Sequence, residues 1–341
     1  MNSRCFGTSG LSTSVIGFGT WPIGGARYGK SDDTEAIRAI QVALDFGVTC
    51  FDTAPSYGNG HAEEVLGKAL GSRRPDALIA TKGGMTWDDQ SFVLGQDSSR
   101  EHLVKGLDDS LRRLKTDYVD LFLIHWPDGV TPLDQVAANL EYLVESGKTR
   151  VVGVCNFTGD QLRQICGAIG STSLVASQVG FSLFDRRWAN ETFATCPALG
   201  IGVMAYGPLA HGLLTGAINS QTTFDELDWR AAGVIFGQPL LTPENRDRNF
   251  AVIDQLRDFA SGKGATVAQL AISWVLAHDA VTVALTGARN EMEIAEAATA
   301  ARLNLTTNDM REIETIMTGA VGMITSLPAG GTSRATRQQG A

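Results

Sequence analysis

The sequence predicts an α/β fold: a single (β/α)8 TIM barrel with an N-terminal β-hairpin and extra C-terminal helices. Three observations carry that expectation. Short apolar runs without polar alternation recur along the chain, each followed by helical periodicity, as parallel strands buried on both faces require. No linker or low-complexity block divides the eight strand-helix units. Finally, Gly17-Phe18-Gly19 meets Pro22 where a doubly wound dinucleotide-binding sheet would place its third glycine.

A hairpin from Arg4 to Thr13, turning at Gly10, opens the chain. Val15 to Gly17 reads as the first strand, and 32–46 as a helix capped by Ser31 and stopped by Gly47. Cys50 to Asp52 is the second strand, with a helix over 62–70 that ends at Gly71. The third strand, 77–81, leads into a long loop, 83–97. The next helix opens at Ser99 and carries Leu103, Leu107, Leu111 and Leu114 on one face. Strands at 119–124, 151–154, 175–179 and 202–205 then alternate with helices at 133–146, 159–169 and 188–199. The longest irregular stretch, 207–245, is rich in Gly, Pro and aromatics. Helices over 250–261 and 267–278, a strand over 281–285 and helices over 291–302 and 307–317 complete the pattern. The barrel domain is expected to fill 1–320, leaving 321–341 as a flexible tail whose end is Gly, Ser, Thr, Arg and Gln.

Composition narrows the function. A net charge of -9 and a pI near 5.1 argue against nucleic acid as an obligate partner, which wants a basic face. The most apolar long stretch, 267–285, is broken by Gln269, Ser273, His278 and Asp279, so no membrane span is expected. Met1 to Thr8 shows no apolar secretory core, and the five Cys are odd in number without CxxC spacing. A reducing cytoplasm fits. No metal is expected: the one close His and Glu pair, His61 and Glu64, sits at a helix start, where capping and surface charge explain it.

Chemistry gathers at strand ends. Asp52 closes the second strand, Tyr57 follows on its loop, Lys82 comes just after the third strand, and His125 follows the fourth. In a parallel barrel these positions share one mouth. Singly, they read as a turn carboxylate, a packed phenol, a solvated amine and a buried imidazole. Together they are a proton-transfer set, because a phenol acts as an acid near neutrality only beside a cation that favours its anion.

On these motifs the chain resembles the aldo-keto reductases: FDTAPSYG, ATKGG and LIHWPD carry the four residues, within GFGTWPIGG at 17–25, SLRRLKTDYVDLFLIHWPD at 110–128, GKTRVVGVCNF at 147–157 and MAYGPLAHGLLTG at 204–216. The resemblance runs from about Gly7 to Met317 and is nearest the bacterial branch handling sugars and ketones. It implies catalytic roles for Asp52, Tyr57, Lys82 and His125, and a nicotinamide cofactor, NADP or NAD, across the mouth. It also places the cofactor on Thr20, Trp21, Asp52, Asn156, Gln178, Tyr206, Gly207, Pro208, Leu209, Gly212, Gly287, Arg289 and Glu293. Asn156 and Gln178 match the carboxamide binders, Tyr206 the ring-stacking residue, Gly207 to Gly212 the pyrophosphate loop, and Gly287 and Arg289 the adenosine-phosphate segment.

Departures from the family pattern bear on the cofactor. Cys155 stands where many relatives have Ser, Ala217 replaces a lysine, and Glu293 and Ala297 replace Gln and Asn near the adenine. A carboxylate suits a free ribose hydroxyl and repels a 2′-phosphate, so phosphate preference should be reduced, although Arg289 argues the other way. Tyr28, Trp87, Trp126 and Trp229, with Phe157 and Phe236, are expected to wall the substrate, Trp126 foremost. The substrate is then a small carbonyl or alcohol. An aldose or pyridoxal-type NAD-dependent dehydrogenase and a cofactor-binding subunit like channel β-subunits are the alternatives, with a metal-dependent or isomerase barrel behind them.

Overall fold

Eight strands pair edge to edge, all parallel, until the last meets the first. The structure, a computed structural model, describes residues 1–25, 31–87, 93–225 and 228–327. Strands β1 (Ser3–Cys5) and β2 (Ser12–Ser14) form the opening antiparallel hairpin. The barrel proper is β3 (Ile16–Gly19), β4 (Cys50–Asp52), β5 (Leu78–Gly83), β8 (Val119–Ile124), β9 (Thr149–Cys155), β10 (Leu174–Gly180), β11 (Gly202–Tyr206) and β12 (Val281–Gly287), in that order around the ring. Closure comes from β12 on β3, where Leu285 lies opposite Gly17 and Gly287 opposite Gly19.

Helices α1 (Asp33–Asp45), α2 (His61–Leu70), α3 (Arg100–Leu114), α4 (Leu133–Glu145), α5 (Gly159–Ala168), α6 (Ala189–Ala198), α7 (Arg246–Ser261), α8 (Val267–Leu276), α9 (Glu291–Ala300) and α10 (Thr307–Met317) cover the outside. Two cores result. One lies between strands and helices. The other fills the barrel with Cys50, Leu78, Leu121, Leu123, Met204 and Val283, and Phe6 from the hairpin caps it. That is the packed interior expected of this fold, with loops left free at one mouth.

Several boundaries differ from the sequence expectation. Asp32, rather than Ser31, caps α1, because its carboxylate accepts the free N–H groups of Thr34 and Glu35. The stretch read as a loop over 83–97 holds a second antiparallel hairpin, β6 (Met85–Trp87) and β7 (Val93–Gln96). Within 207–245 there are two short 3₁₀ turns, Ala210–Thr215 and Trp229–Ala232, and α7 starts earlier than expected, at Arg246. Past residue 320 the chain is still tied down: the Val321 N–H donates to Asn249, the Ile324 N–H to Gln238, and Ile324 bridges Asp185. The anchored body therefore extends beyond 320; residues 328–341 lie outside the described ones.

Candidate active site

At the mouth, β4 ends on Asp52, and Lys82 lies inside β5, completely buried. The Lys82 ammonium donates to both Asp52 carboxylate oxygens (2.8 and 2.7 Å), to the Thr53 carbonyl (2.9 Å) and to the Tyr57 hydroxyl (3.1 Å). Gln178, at the end of β10, donates to the same carboxylate at 2.7 Å. Burying two charges is expensive, and only this density of bonds makes the pair tolerable. Burial lowers the lysine's proton affinity, but Asp52 and Tyr57 outweigh it and hold the ammonium above its ordinary pKa.

Tyr57 is placed by two backbones pressed together. A Cβ on Gly24 would lie 2.8 Å from the Gly58 nitrogen, and one on Gly58, whose φ is +63°, would lie 2.3 Å from the Gly24 carbonyl oxygen. The loop can pass there only without side chains. Burial pushes the Tyr57 pKa up to about 12; Lys82 is the strongest influence in the opposite direction. The expectation that the lysine acidifies the phenol thus holds for its own contribution and not for the net value. The His125 ring stands edge-on to Tyr57, centroids 5.9 Å apart. Burial, and then Lys82, drives the His125 pKa well below its usual value, so the imidazole is neutral at pH 7.

Around this set the other sequence-selected residues divide. Asn156, in a left-handed conformation (φ 62°), donates to the His125 carbonyl (3.2 Å) and accepts from the Tyr206 hydroxyl (3.1 Å). This buried side chain is therefore braced by protein at both its amide nitrogen and its amide oxygen. The Thr20 hydroxyl, at the exit of β3, is buried without a hydrogen-bond partner, beside an amide that donates to the Asp52 carbonyl at 2.9 Å. Gly207 and Gly212 both hold positive φ, and a Cβ on either would lie 3.0 Å from the side chain of His211 or Arg230. An orphaned hydroxyl and a glycine-lined cradle fit a ligand with a backbone-bound polar section, as a dinucleotide has. Pro208 and Leu209 link these glycines, and Gly287 closes β12 against Pro22.

Arg289 and Glu293, which pointed in opposite directions about the cofactor, are bonded to each other. The carboxylate of Glu293 accepts the Arg289 backbone N–H (2.8 Å) and its guanidinium (3.2 Å). Cys155 lies wholly buried in the barrel interior, and burial raises its thiol pKa beyond reactivity.

Of the aromatics expected around the substrate, Trp229 reaches the mouth. It stacks on Trp21 at 6.0 Å, and Trp21 stacks on Tyr57 at 6.3 Å. Phe236 meets Trp21 edge-on at 5.9 Å. Trp126 is half-buried beside His125, and Trp87 is carried out on the added hairpin. Phe157 is corrected: it is fully buried in the outer core, because the chain turns inward after Asn156. Tyr28 lies outside the described residues. Asp128, within a motif that marks the site, is structural, binding Ser98, Val130 and Thr131.

The sequence reading overlooked His211, Arg187 and Arg230. His211 lay unmarked in a run of Gly and Leu. The two arginines had a faint signal, an Asp two residues before each; Asp185 binds Arg187 and Asp228 binds Arg230. Among the described residues no cluster of three or more His, Cys, Asp or Glu could hold a metal, and no helix is long and apolar enough to cross a membrane.

Residues 15–318 match the Aldo/keto reductase family. Aldo-keto reductase YhdN of Bacillus subtilis (strain 168) is 32% identical over 316 residues, covering 92% of each chain. A probable voltage-gated potassium channel subunit beta of Arabidopsis thaliana is 33% identical over 87% of this chain and 90% of its own. Among solved structures, the glycerol dehydrogenase AKR11B4 from Gluconobacter oxydans superposes with a TM-score of 0.84 at 33% identity, covering 97% of this chain and 98% of its own.

Proposed function

Since the chain belongs to the aldo/keto reductase family, an oxidoreductase family working on carbonyls with NAD(P)H, we propose that Tyr57 is the proton donor to the substrate oxygen. One observation carries this reading: the Lys82 ammonium touches the Tyr57 hydroxyl at 3.1 Å and both oxygens of Asp52. When bound, the nicotinamide supplies or accepts the hydride. The protein's own groups do the rest. Neutral His125 donates a hydrogen bond to the substrate oxygen without competing for the proton. An alkoxide is a stronger base than a phenolate, so even a phenol near pKa 12 yields its proton to it. Lys82 steadies the resulting phenolate, and Asp52 keeps the lysine charged and aimed.

Thr20, Gln178, Asn156 and Tyr206 are assigned to the nicotinamide end, Gly207 to Gly212 to the diphosphate, and Gly287, Arg289 and Glu293 to the adenosine end. Because Glu293 is bonded to the backbone N–H and one guanidinium nitrogen of Arg289 and offsets its charge, NADH is accepted and the advantage of NADPH reduced. Trp21, Trp229 and Trp126 wall a small carbonyl or alcohol. The unpaired state of all five cysteines supports the cytoplasm as its location.

The test is loss of reduced-nicotinamide absorbance across a panel of aldehydes, ketones and aldoses. The reverse reaction is run on polyols, since one structural relative is described as a glycerol dehydrogenase. Wild type should turn over at least one class, and Tyr57→Phe should lose at least a hundredfold in kcat while still binding cofactor. Near-normal turnover by that variant would remove Tyr57 from the chemistry. Tight cofactor binding with no turnover on any substrate would favour the second reading, a binding subunit like the Arabidopsis relative.

A further inference from the structure

The assignment of Tyr206 to the nicotinamide ring defines a berth: a flat ligand lying against Tyr206, reaching toward Tyr57 and Trp21. In the structure the chain's own rings occupy that direction. Phe236 lies 6.1 Å from Tyr206, tilted by 50°, and 5.9 Å from Trp21. The His211 imidazole is flat on Phe236 at 4.4 Å and 14°, and edge-on to Trp21 at 5.7 Å and to Trp229 at 5.5 Å.

Two further features bear on how this arrangement is held. Ala210 and His211 both hold left-handed backbone, at φ 47° and 54°, a conformation that non-glycine residues keep only when their surroundings hold them there. What holds them is a pair of tethers. Arg230, fixed by Asp228, donates to the His211 carbonyl at 3.2 Å, and Arg187, fixed by Asp185, donates to the Phe236 carbonyl at 2.7 Å. Both tethers end on backbone oxygens, next to Ala210 and Ile235, whose side chains pack in the core. Burial lowers the His211 pKa to about 3, so the ring stacks as a neutral, apolar body.

We propose that Phe236 and His211 form an internal occupant of the nicotinamide berth, which must withdraw for cofactor to enter and which therefore sets both the entry rate and the affinity. The proposal rests on the cofactor reading above. It adds two residues to the cofactor site, and it assigns Arg187 and Arg230 as the groups holding the stack in place.

Trp21 and Trp229 border the stack, so indole fluorescence reports its movement. Wild type, Phe236→Leu, Phe236→Ala and His211→Ala are mixed rapidly with NADH or NADPH, after melting curves confirm that each folds. In wild type the observed rate should level off at high cofactor concentration, limited by opening. Removal of either ring should raise that plateau severalfold and tighten the dissociation constant roughly two- to tenfold, the scale of one aromatic pair. Phe236→Leu keeps the apolar bulk and should fall between. A wild-type rate that rises linearly with concentration, matched by the variants, would overturn the proposal while leaving the cofactor reading intact. Absence of binding to every protein, by fluorescence and by equilibrium dialysis, would overturn the cofactor reading and the proposal with it.

Discussion

The two sides of the mouth are built differently. On one side Asp52, Lys82, Gln178 and the loop residue Tyr57 are joined by hydrogen bonds of 2.7 to 3.1 Å that run between neighbouring and distant strands, with His125 edge-on to Tyr57. On the other, Trp229, His211 and Phe236 come from irregular chain and meet Trp21 by ring contact. Hydrogen bonds are strongly directional and fix the first set in distance and angle, whereas ring contacts constrain the second less tightly. Proton transfer tolerates little error in position, whereas binding has to admit and release a ligand. The difference in construction follows the difference in task.

That contrast can be broken by experiment. The largest effect is expected at the buried ion pair. Lys82→Met takes the ammonium away from the buried Asp52 carboxylate, which keeps the Gln178 amide as a partner, so it should cost about 3 kcal/mol of stability, as well as at least a hundredfold in kcat. His211→Ala, across the mouth, should change stability by only about 1 kcal/mol. Denaturant titration of both variants compares the two sides directly, and equal losses would refute a rigid and a loose half. Gly58→Ala is the next in size. Its Cβ would drive the Tyr57 loop off Gly24, so turnover should fall roughly tenfold or more, with a much smaller loss of cofactor binding.

The pH responses come next. Tyr57, with its pKa raised to about 12, stays protonated through the ordinary range. Carbonyl reduction, which needs the protonated phenol, should therefore hold level from about pH 6 to 9, while alcohol oxidation, which needs the phenolate, climbs with pH. Stability should move the other way at the acid end. His125, His211 and His278 all have depressed pKa values, chiefly through burial. Below the ordinary imidazole pKa of about 6.5 the unfolded chain takes up protons that the folded chain refuses. The melting temperature should be highest above about pH 7 and decline as pH falls, with a shallower decline in His211→Ala. The smallest effect is expected at the adenosine end. Glu293→Gln frees Arg289 and should shift the ratio of NADPH to NADH affinity severalfold toward NADPH; an unchanged ratio would show that the pair plays no part in the choice.

Much of the catalytic side was legible in the chain itself. Strand runs ending on Asp52 and at His125, and the lysine within ATKGG, are local patterns, and the barrel rule places such ends at one mouth. The residues that misled share a cause. Phe157 and Trp229 look alike as aromatics on loops, yet one turns into the outer core and the other crosses to Trp21. Nothing in the neighbouring sequence distinguishes them, because loop direction is set by what the loop packs against. The pairing of Met85–Trp87 with Val93–Gln96 was missed because two strands this short leave too few residues for a period of two to stand out.

By itself the sequence determined the periodic body of this protein: the order of strands and helices, the helix opening at Ser99, the glycine stops at Gly47 and Gly71, and the acid, amine and imidazole at successive strand ends with the phenol on the loop between. Hydrophobic spacing and capping act over a few residues and need no knowledge of the rest of the chain. Only the tertiary structure decided that burial rather than Lys82 dominates the net pKa of Tyr57, and that Phe236 with His211 stacks beside Tyr206 and Trp21. Those outcomes depend on desolvation and on contacts between segments tens of residues apart, which exist only once the barrel has closed.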